Sequence, residues 1–445
     1  MAGGTWTAQN KVRPGVYIRF QSKQELGFTI GSRGTVAICE PLSWGPVGVL
    51  TEIRAGDDPT PYIGYPMTAP QARFLQQIFL GSNRTDGASR VLLYRPTATS
   101  SAQASAEIAP LTVTAKYPGV RGNDITIVVE ADPDNEDSFF VDTVVDGTIV
   151  DRQAAETADT LTANDWVTFS GTGALAANAG TPLTSGADGT VAAAAYSTFL
   201  TALEPYRFDI LIYDGSDAAT LSAMSSFVQR MCEDNGQYCQ LVASFTTGPD
   251  TKYDIDVQTG AVLNDGTTLT KQQMCWWVGG VEAGAQVNES LTYAVHPEAV
   301  APSPVMTGAQ IETALQSGQL VLSADFDVVH IEQDINSLTT YTLDNGEVFH
   351  KNRTMRVCNA IANDIYQQFS TNYLGVINNN DIGRGLFKQA VVKYLNDLQA
   401  QQAIQNFTAD DVEVLPGDDI DSIVVNLAIR VVDAIEKIYM TVTVS

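Results

Sequence analysis

The sequence predicts a multidomain protein of mixed α+β and α/β class, and three observations support this prediction. The chain has 445 residues, which is enough for about two to four domains. From about residue 190, helical patterns alternate with short apolar runs, as in βαβ units around a parallel sheet. Residues 98–189 instead carry short alternating runs without a helical pattern, which is typical of a β-sandwich or barrel.

Residues 1–20 are predicted to be an N-terminal arm. Pro14 and Gly15 mark a turn or a point where the chain leaves a domain, and alternating apolar and polar residues follow them. This alternation predicts a lone β-strand that suits pairing with another chain. Its residues are Val16, Tyr17, Ile18, Arg19 and Phe20.

Residues 21–97 are predicted to form a small N-terminal domain with two strands and one amphipathic helix. The strands are TVAICE and RVLLYRP, and the helix is APQARFLQQIFLG. Pro70 suits the first turn of this helix, because the N–H group that proline lacks would have no partner there. The predicted buried stripe of the helix consists of Phe74, Leu75, Ile78 and Phe79.

Residues 98–189 are predicted to be a self-contained β-sandwich insert. The segment is rich in Ala, Thr, Ser, Gly and Asp, and its alternating runs are separated by turn residues. Asp146 and Gly147 lie between two such runs, and an Asp-Gly pair in this position predicts a tight hairpin turn.

Residues 190–335 are predicted to form an α/β layer. The fully apolar runs FDILIYDG and YCQLVASF read as buried parallel strands, and helical patterns lie beside them. The run QQMCWWVGGVEAGA is expected to lead out of this layer.

Residues 336–432 are predicted to be a C-terminal inner domain of helices and strands. Its first helix is RTMRVCNAIANDIYQQF, and the loop NNND lets a second helix turn back on it. Strand DSIVVNLAIRVV follows. The second helix has an apolar stripe at three- and four-residue steps, formed by Leu386, Phe387, Ala390, Val391, Tyr394, Leu395 and Leu398.

Residues 433–445 are predicted to be a C-terminal strand arm. The segment IEKIYMTVTVS alternates apolar and polar residues, and nothing after it in the sequence would cover its apolar side. Proteins usually avoid leaving such an edge unpaired, because it templates association. We therefore expect a partner strand in another chain for Ile438, Tyr439, Met440, Thr441, Val442, Thr443 and Val444.

Charge and cysteine content limit the classes of partner. Acidic residues outnumber Lys and Arg by 51 to 25, for a formal net charge of −26, so we expect neither direct nucleic-acid binding nor attraction to an anionic membrane. The five cysteines are scattered without a CxxC pair, which favours a reducing cytoplasm over a disulfide framework. The N-terminus lacks the apolar segment of a signal peptide, and no run of 18 apolar residues occurs, so no membrane insertion is expected.

The α/β layer raises the hypothesis of an enzyme, and the motifs do not favour it. Three histidines, His296, His330 and His350, are too few and too separated for a metal motif, and His330 is predicted to be a structural histidine. No phosphate-binding loop or nucleophile elbow occurs, and the acidic run DPDNED departs from a calcium-binding loop. The carboxyl end of FDILIYDG offers only Asp214-Gly215-Ser216 without a nearby histidine. We predict no catalysis, no metal and no cofactor.

Three stretches together resemble the tail sheath proteins of contractile bacteriophages and of related phage-tail-like particles. They are RPGVYIRF, NRTMRVCNAIANDIYQQFSTNYLGVINNNDIGR and DAIEKIYMTVTVS, and the resemblance extends over nearly the whole chain. It implies a small N-terminal domain, a β-sandwich insert, a subtilisin-like α/β layer without catalytic residues, a C-terminal helix-and-sheet domain, and extended terminal β-arms.

The resemblance also implies a mechanical function. Such subunits form stacked hexameric rings around an inner tail tube protein, with baseplate and tail terminator proteins as further partners. The sheath shortens to drive the tube through a bacterial envelope, and terminal arms join a β-sheet on another subunit. The location implied is a virion tail or phage-tail-like particle assembled in the host cytoplasm. The inner domain should face the tube through exposed residues such as Lys388, Lys393 and Asp397.

Two alternatives stay open from the sequence. A static tube or shell protein would share the terminal strands without contracting. A hydrolase-like or nucleotide-binding α/β enzyme would need a nucleophile or phosphate loop at the carboxyl end of FDILIYDG.

Overall fold

The computed structural model describes residues 2–4, 15–17, 30–31, 33–135, 137–326 and 328–444. The chain divides into two compact units. The larger unit consists of residues 31–363 and 431–445, and the smaller unit consists of residues 1–30 and 364–430. No helix in the described ranges is long and apolar enough to cross a membrane.

The α-helices of the described residues are α1 (Thr60–Ile63), α2 (Arg73–Phe79), α3 (Ala193–Leu203), α4 (Ala218–Glu233), α5 (Lys271–Gly284), α6 (Gly308–Gln316), α7 (Asn352–Asn372) and α8 (Asp381–Ala400). Short 3-10 helices lie at Pro70–Ala72, Val120–Asp124, Ala158–Thr160, Glu347–His350 and Ala409–Asp411. Side chains cap several helices: Asp217 accepts from Thr220 N at the start of α4, and Thr270 and Gln273 form a capping box on α5.

The strands of the same residues are β1 (Ala2–Gly4), β2 (Gly15–Tyr17), β3 (Thr35–Cys39), β4 (Leu50–Arg54), β5 (Arg90–Tyr94), β6 (Ala98–Thr99), β7 (Ser105–Ile108), β8 (Leu111–Ala115), β9 (Ile125–Ala131), β10 (Phe139–Val145), β11 (Thr148–Ala155), β12 (Val167–Gly171), β13 (Asn178–Pro182), β14 (Thr190–Val191), β15 (Ile210–Tyr213), β16 (Gln240–Ala243), β17 (Asp254–Val257), β18 (Gly260–Leu263), β19 (Thr268–Leu269), β20 (Ala299–Ser303), β21 (Gln319–Leu320), β22 (Leu322–Asp325), β23 (Val328–Ile331), β24 (Val412–Pro416) and β25 (Ile423–Leu427).

A seven-stranded sheet forms the centre of the larger unit, in the order β21-β17-β16-β15-β3-β5-β4. Its strands are parallel except for the pairing of β4 with β5. Helices α2 and α5 contribute to the core on one face, and α3 and α4 contribute to the core on the other. Because both faces are covered, β3, β15 and β16 are continuous apolar runs instead of alternating ones.

The predicted helices and strands of the 190–335 layer are confirmed as α3, β15, α4 and β16. The expectation that QQMCWWVGGVEAGA leads out of the layer is wrong, because this run is α5, which packs against the central sheet. Close packing explains its glycines: a Cβ on Gly280 would lie 2.1 Å from the carbonyl oxygen of Ile78 in α2. The sheet also crosses the predicted domain boundary at residue 97, since β3, β4 and β5 precede it.

The helix predicted around Pro70 is present in two parts. Residues Pro70–Ala72 form a 3-10 turn, and α2 follows directly. The predicted stripe is buried at Phe74, Leu75 and Ile78, whereas Phe79 is only partly buried.

The predicted β-sandwich between residues 98 and 189 is confirmed. One sheet has the order β11-β10-β9-β13, the other has the order β12-β8-β7, and apolar side chains of both meet in a shared core. The Asp146-Gly147 turn joins β10 to β11, with Val145 paired to Thr148. Both turn residues have positive φ, 51° and 76°, as this tight hairpin turn requires.

The sandwich was predicted to be self-contained, but its core includes a residue from outside the segment 98–189. Trp44, which follows β3, belongs to the sandwich core and is 1% exposed. Its ring lies 5.4 Å from that of Tyr117 and 4.9 Å from that of Trp166. Three aromatic side chains from both sides of the boundary therefore form one cluster.

Two buried arginines complete this contact, which we call the sandwich junction (Trp44, Arg95 and Arg121). Arg95 donates to the carbonyl oxygens of Gly45 at 2.8 Å and Pro118 at 2.7 Å. The Nε of Arg121 donates to the carbonyl of Gly64 at 2.9 Å, and its guanidinium lies 4.1 Å from the Tyr65 ring centroid. Arg121 also forms a two-pronged ion pair with Asp146, at 2.9 and 2.6 Å.

The smaller unit contains α8 and the antiparallel pair β24–β25, which we call the C-terminal hairpin. The buried face of α8 consists of Phe387, Ala390, Val391, Tyr394, Leu395 and Leu398, as predicted. Leu386 was predicted to be in this stripe and is wrong, since it is 46% exposed. It precedes Phe387 by one residue, which turns it about 100° away from the buried face. The hydroxyl of Tyr394 donates to Asp364 at 2.8 Å within this unit.

Candidate interaction surfaces

The carboxyl edge of the central sheet is where an α/β enzyme would place its site. Glu40 follows β3 and Asp214 follows β15, and these two carboxyl groups are close enough for each to influence the pKa of the other. Trp276 of α5 donates its Nε1–H to Asp214 at 3.1 Å. Burial, together with the neighbouring acid, raises the pKa of Glu40 well above its ordinary range, and burial also raises the pKa of Asp214.

The raised pKa values favour the protonated form of this acid pair (Glu40 and Asp214), and among the described residues the pair lacks the partners of a nucleophilic site. Within the described residues, no histidine hydrogen-bonds to Glu40 or Asp214. Ser216 is exposed beyond the end of β15. In the same residues no group of three or more histidine, cysteine or acidic side chains is placed to hold a metal ion.

The histidines occupy structural positions. His296 is buried and shares a hydrogen bond of 2.9 Å with Gln77, and burial lowers the pKa of His296 to about 4. His330 on β23 is buried and lies 3.1 Å from the hydroxyl of Ser323, which confirms its predicted structural role. His350 contacts the carbonyl of Leu338 at 2.7 Å.

The N-terminal arm is described in part. Val16 and Tyr17 lie in β2, which pairs in parallel with β1. The strand predicted at this position is therefore present in its first residues, but the expectation of a lone strand is wrong, because β1 of the same arm pairs with it. Ile18, Arg19 and Phe20 lie outside the described residues.

The C-terminal arm, residues 433–445, is described to Val444 and has no strand or helix from Val432 onward. Its apolar side chains are among the most exposed of the described residues. The exposed fractions are 78% for Ile438, 92% for Tyr439, 78% for Met440, 73% for Val442 and 89% for Val444. An alternating apolar segment without a covering surface is suited to pair with a strand from elsewhere.

One residue near the start of the arm is held firmly to the larger unit. Glu436 accepts from Lys351 Nζ at 2.5 Å and from the Thr292 hydroxyl at 2.7 Å, and Gln333 Nε2 lies 3.5 Å away. The side chains of Glu436 and Lys351 are 12% and 22% exposed, so water screens their attraction only partly. We call this contact the arm anchor (Glu436, Lys351, Thr292 and Gln333).

The arm anchor is continuous with a buried ionic network. The Thr292 hydroxyl that donates to Glu436 also accepts from the backbone N–H of Asp334 at 3.0 Å. The Asp334 carboxylate accepts from Arg356 at 2.6 Å, and Arg356 also pairs with Glu282. Although burial opposes it, the Arg356 charge holds the pKa of Asp334 below its ordinary value. Thr292, one of the groups that hold Glu436, is thus linked to the buried ionic network.

The C-terminal hairpin presents free edges in the described residues, since β24 and β25 pair only with each other. Its side chains Leu415, Val424 and Val425 are exposed by 40%, 47% and 38%. The Asn379 amide donates to the carbonyls of Ile420 and Ser422 at 2.9 and 2.8 Å, which holds the turn between the strands. A two-stranded sheet with unpaired edges can accept further strands.

The residues predicted to face a tube lie on α8. Lys393 and Asp397 form an exposed ion pair of 3.8 Å, and Lys388 is partly exposed. Exposed i,i+4 pairs of this kind contribute little stability. Their contact with a tube stays a prediction.

Comparisons with known proteins agree over most of the chain. Residues 99–188 match the phage tail sheath protein beta-sandwich domain, residues 189–337 match the phage tail sheath protein central domain, and residues 344–445 match the phage tail sheath C-terminal domain. The chain is 32% identical to the phage-like element PBSX protein XkdK of Bacillus subtilis (strain 168), over the full length of both proteins. A tail sheath protein of Clostridium phage phiCD119 is 31% identical over 34% of this chain and 42% of its own length.

Solved structures show the same relationship. A sheath tail protein from Desulfitobacterium hafniense superposes with a TM-score of 0.86 at 41% identity, covering 96% of this chain and 99% of that one. A sheath tail protein from Listeria innocua superposes with a TM-score of 0.77 at 31% identity, covering 93% and 96%. This chain belongs to the phage tail sheath family.

The sheath fold extends to more distant proteins. The helical sheath of the anti-feeding prophage, solved in a contracted state, superposes with a TM-score of 0.58 at 12% identity over 97% of this chain and 99% of that one. At this identity the likeness shows a shared fold. The resemblance inferred from three stretches of the sequence, two terminal and one at residues 352–384, is confirmed.

Sequence reasoning missed two features of this sheath protein. The arm anchor was missed because the residues that hold Glu436 are 85 to 144 positions away in the chain. The acid pair was missed because Glu40 and Asp214 come from separate strands, although each directly follows an apolar run at the edge where ligands bind in α/β folds.

Proposed function

We propose that this sheath protein is a subunit of a contractile tail sheath whose subunits are linked by exchange of terminal β-strands. The exposed alternating segment beyond Glu436 carries this proposal. Its apolar residues are 73–92% exposed in the single chain. An exposed apolar segment of this kind is expected where another chain covers it in the assembly.

The C-terminal hairpin is the proposed acceptor. Its two strands have free edges among the described residues, and exposed valine and leucine side chains flank them. A C-terminal arm from one neighbour and an N-terminal arm, with Val16 to Phe20, from another would extend the hairpin to four strands. The inter-subunit strand of the C-terminal arm would run from Ile438 to Val444.

The strength of each link follows from backbone hydrogen bonding. An added strand of this length forms roughly four to eight hydrogen bonds, each with a net value of about 0.5–1.5 kcal/mol. Ordering the arm opposes part of this gain, so one link contributes only a few kcal/mol. Many such links in a closed lattice would hold the sheath together while rigid domains rotate.

The rest of the subunit fits the same proposal. The central sheet, covered by helices on both faces, would be a subtilisin-like scaffold in which an acid pair and Trp276 stand where an enzyme would carry its reacting groups. Of the four domains predicted between the arms, those at residues 21–97 and 190–335 would act as one rigid scaffold, since strands of both form the central sheet. The β-sandwich at 98–189 and the inner domain at 336–432 would be the other two parts of the subunit. The last of these would face an inner tail tube through Lys388, Lys393 or Asp397.

The assembly proposed is a set of stacked hexameric rings around the tube, with baseplate and tail terminator proteins at its ends. It would form in the bacterial host cytoplasm as part of a phage tail or phage-tail-like particle. Two solved proteins of the same fold come from the anti-feeding prophage, as a contracted helical sheath and in a baseplate. Shortening of the sheath would drive the tube through a bacterial envelope without a cofactor or catalysis.

Deleting residues 437–445 tests strand exchange. We expect the shortened protein to fold, with thermal unfolding near that of the full chain, and to form no rings or tubes by negative-stain electron microscopy. Long sheaths formed by the shortened protein would overturn the strand-exchange proposal. Comparing subunit packing in particles before and after a contraction stimulus separates a contractile sheath from a static tube.

A further inference from the structure

Among the described residues, Glu436 is the last point at which the C-terminal arm is held to its own subunit. The carboxylate has three polar neighbours from separate parts of the larger unit: Thr292, Gln333 and Lys351. From Lys437 onward the described side chains are exposed. The arm thus changes from a segment bound to its own subunit to an exposed segment between Glu436 and Lys437.

We infer that Glu436 is a positioning residue that sets where the C-terminal arm leaves the subunit, and that only residues after it take part in strand exchange. This inference rests on the proposed function and names the residue that gives the exchanged strand its starting point. An arm held at a defined point searches a smaller volume, so its effective concentration at an acceptor is higher. An arm released at Glu436 would be longer and its ordering would cost more.

The geometry favours an anchor over a chance surface pair. Exposed ion pairs with long, mobile side chains are weak, whereas Glu436 is mostly buried and receives two short charge-assisted hydrogen bonds, at 2.5 and 2.7 Å. Lys351 directly precedes α7, and Thr292 is fixed by the backbone N–H of Asp334. The backbone positions of both donors therefore belong to the larger unit and not to the arm.

A first experiment measures anchoring in the unassembled subunit. Trypsin cleaves after Lys437, and the susceptible bond is one residue beyond the anchor, so release of the arm should speed cleavage. We expect the variants Glu436→Gln and Lys351→Met to lose the peptide 438–445 about tenfold faster than the unaltered protein, because local opening governs proteolysis. Unchanged cleavage rates would show that Glu436 does not hold the arm and would overturn the inference.

A second experiment measures assembly with the same variants and their double mutant. We expect each single substitution to raise the critical concentration for sheath formation about tenfold, which corresponds to the loss of one partly buried charged contact. Because the two side chains act as one contact, the double mutant should be no worse than either single one. If the double mutant instead raised the critical concentration by the product of the two single increases, the side chains would act independently and the inference would be overturned.

The matched control is Glu204→Gln, which removes an ion pair of 2.9 Å with Arg230 that is 38–43% exposed. We expect this control to assemble and to be cleaved as the unaltered protein is. The deletion of residues 437–445 belongs in the same assay. If the deletion abolishes assembly and Glu436→Gln does not affect assembly, the anchor inference is wrong and the strand-exchange proposal stands. If the deletion variant still assembles, the strand-exchange proposal is wrong. Thermal unfolding of each variant shows whether it is folded.

Discussion

The sandwich junction and the C-terminal arm attach parts of the same chain in opposite ways. At the junction, Trp44 and Arg121 are almost fully buried and contact several partners on both sides. In the arm, Glu436 is the last anchored residue, and the apolar side chains that follow have no cover within the described chain. Apolar residues at the junction therefore stabilise the single subunit, whereas those in the arm are available to another chain.

The largest expected difference between the two regions is the loss of stability when a large apolar side chain is shortened. Trp44→Ala removes a fully buried ring from the aromatic cluster of the junction, and we expect a loss of about 3–5 kcal/mol in the free energy of unfolding. Met440→Ser in the arm should change this free energy by less than about 0.5 kcal/mol. Urea unfolding followed by tryptophan fluorescence and circular dichroism measures both. Equal losses in the two variants would contradict the comparison.

A smaller loss of stability is expected when the buried guanidinium group of the sandwich junction is removed. Arg121→Met leaves the Gly64 carbonyl without its buried donor and removes the ion pair with Asp146, and we expect a loss of about 2–3 kcal/mol. The partner carboxylates are half-exposed and regain water, which limits the loss. Arg230→Met, in an exposed pair, is the control and should cost less than about 1 kcal/mol. Thermal unfolding compares the two, and similar shifts would show that burial at the junction does not matter.

The smallest expected effect is the dependence of the free energy of unfolding on pH. Buried acidic residues of the packed interior cause it, and the described arm beyond Glu436 has no acidic residue. Burial raises the pKa of Asp254 to about 7 and that of Asp256 to about 6. Both values lie above those of the unfolded chain, so the folded state holds more protons. The stabilising contribution is present at low pH and is lost as the pH rises through 6 and 7.

Unfolding measured at pH 8 and pH 5.5 tests this expectation. Between pH 8 and pH 5.5 we expect Asp254 to add about 2 kcal/mol to the free energy of unfolding. The buried His296, whose pKa is lowered to about 4, opposes part of this gain, because the unfolded chain takes up its proton first. Asp254→Asn should therefore remove the Asp254 contribution to the difference between the two pH values, whereas deletion of residues 437–445 should leave this difference unchanged. The same difference between pH 8 and pH 5.5 in Asp254→Asn and in the unaltered protein would contradict this expectation.

Local patterns predicted much of the fold because they depend on neighbouring residues. The helices α4, α7 and α8 have apolar residues at helical spacing, and the Asp146-Gly147 turn has the backbone preference that its hairpin needs. The helix α5 was not recognised as part of the layer, because a helix that is buried all round has no polar face and so no periodicity.

The sequence by itself determined the sheath family, the β-sandwich insert, the terminal alternating segments and the absence of a recognisable catalytic motif. The family rests on the resemblance of three stretches to known sheath proteins. The other conclusions rest on motifs and periodicity, which depend only on residues close together in the sequence. Tertiary structure alone decided that β3, β4 and β5 join the central sheet, that Trp44 belongs to the sandwich core, and that Glu436 is held by Lys351. The physical reason is that each of these contacts joins residues far apart in the chain, and their pairing depends on how the whole core packs.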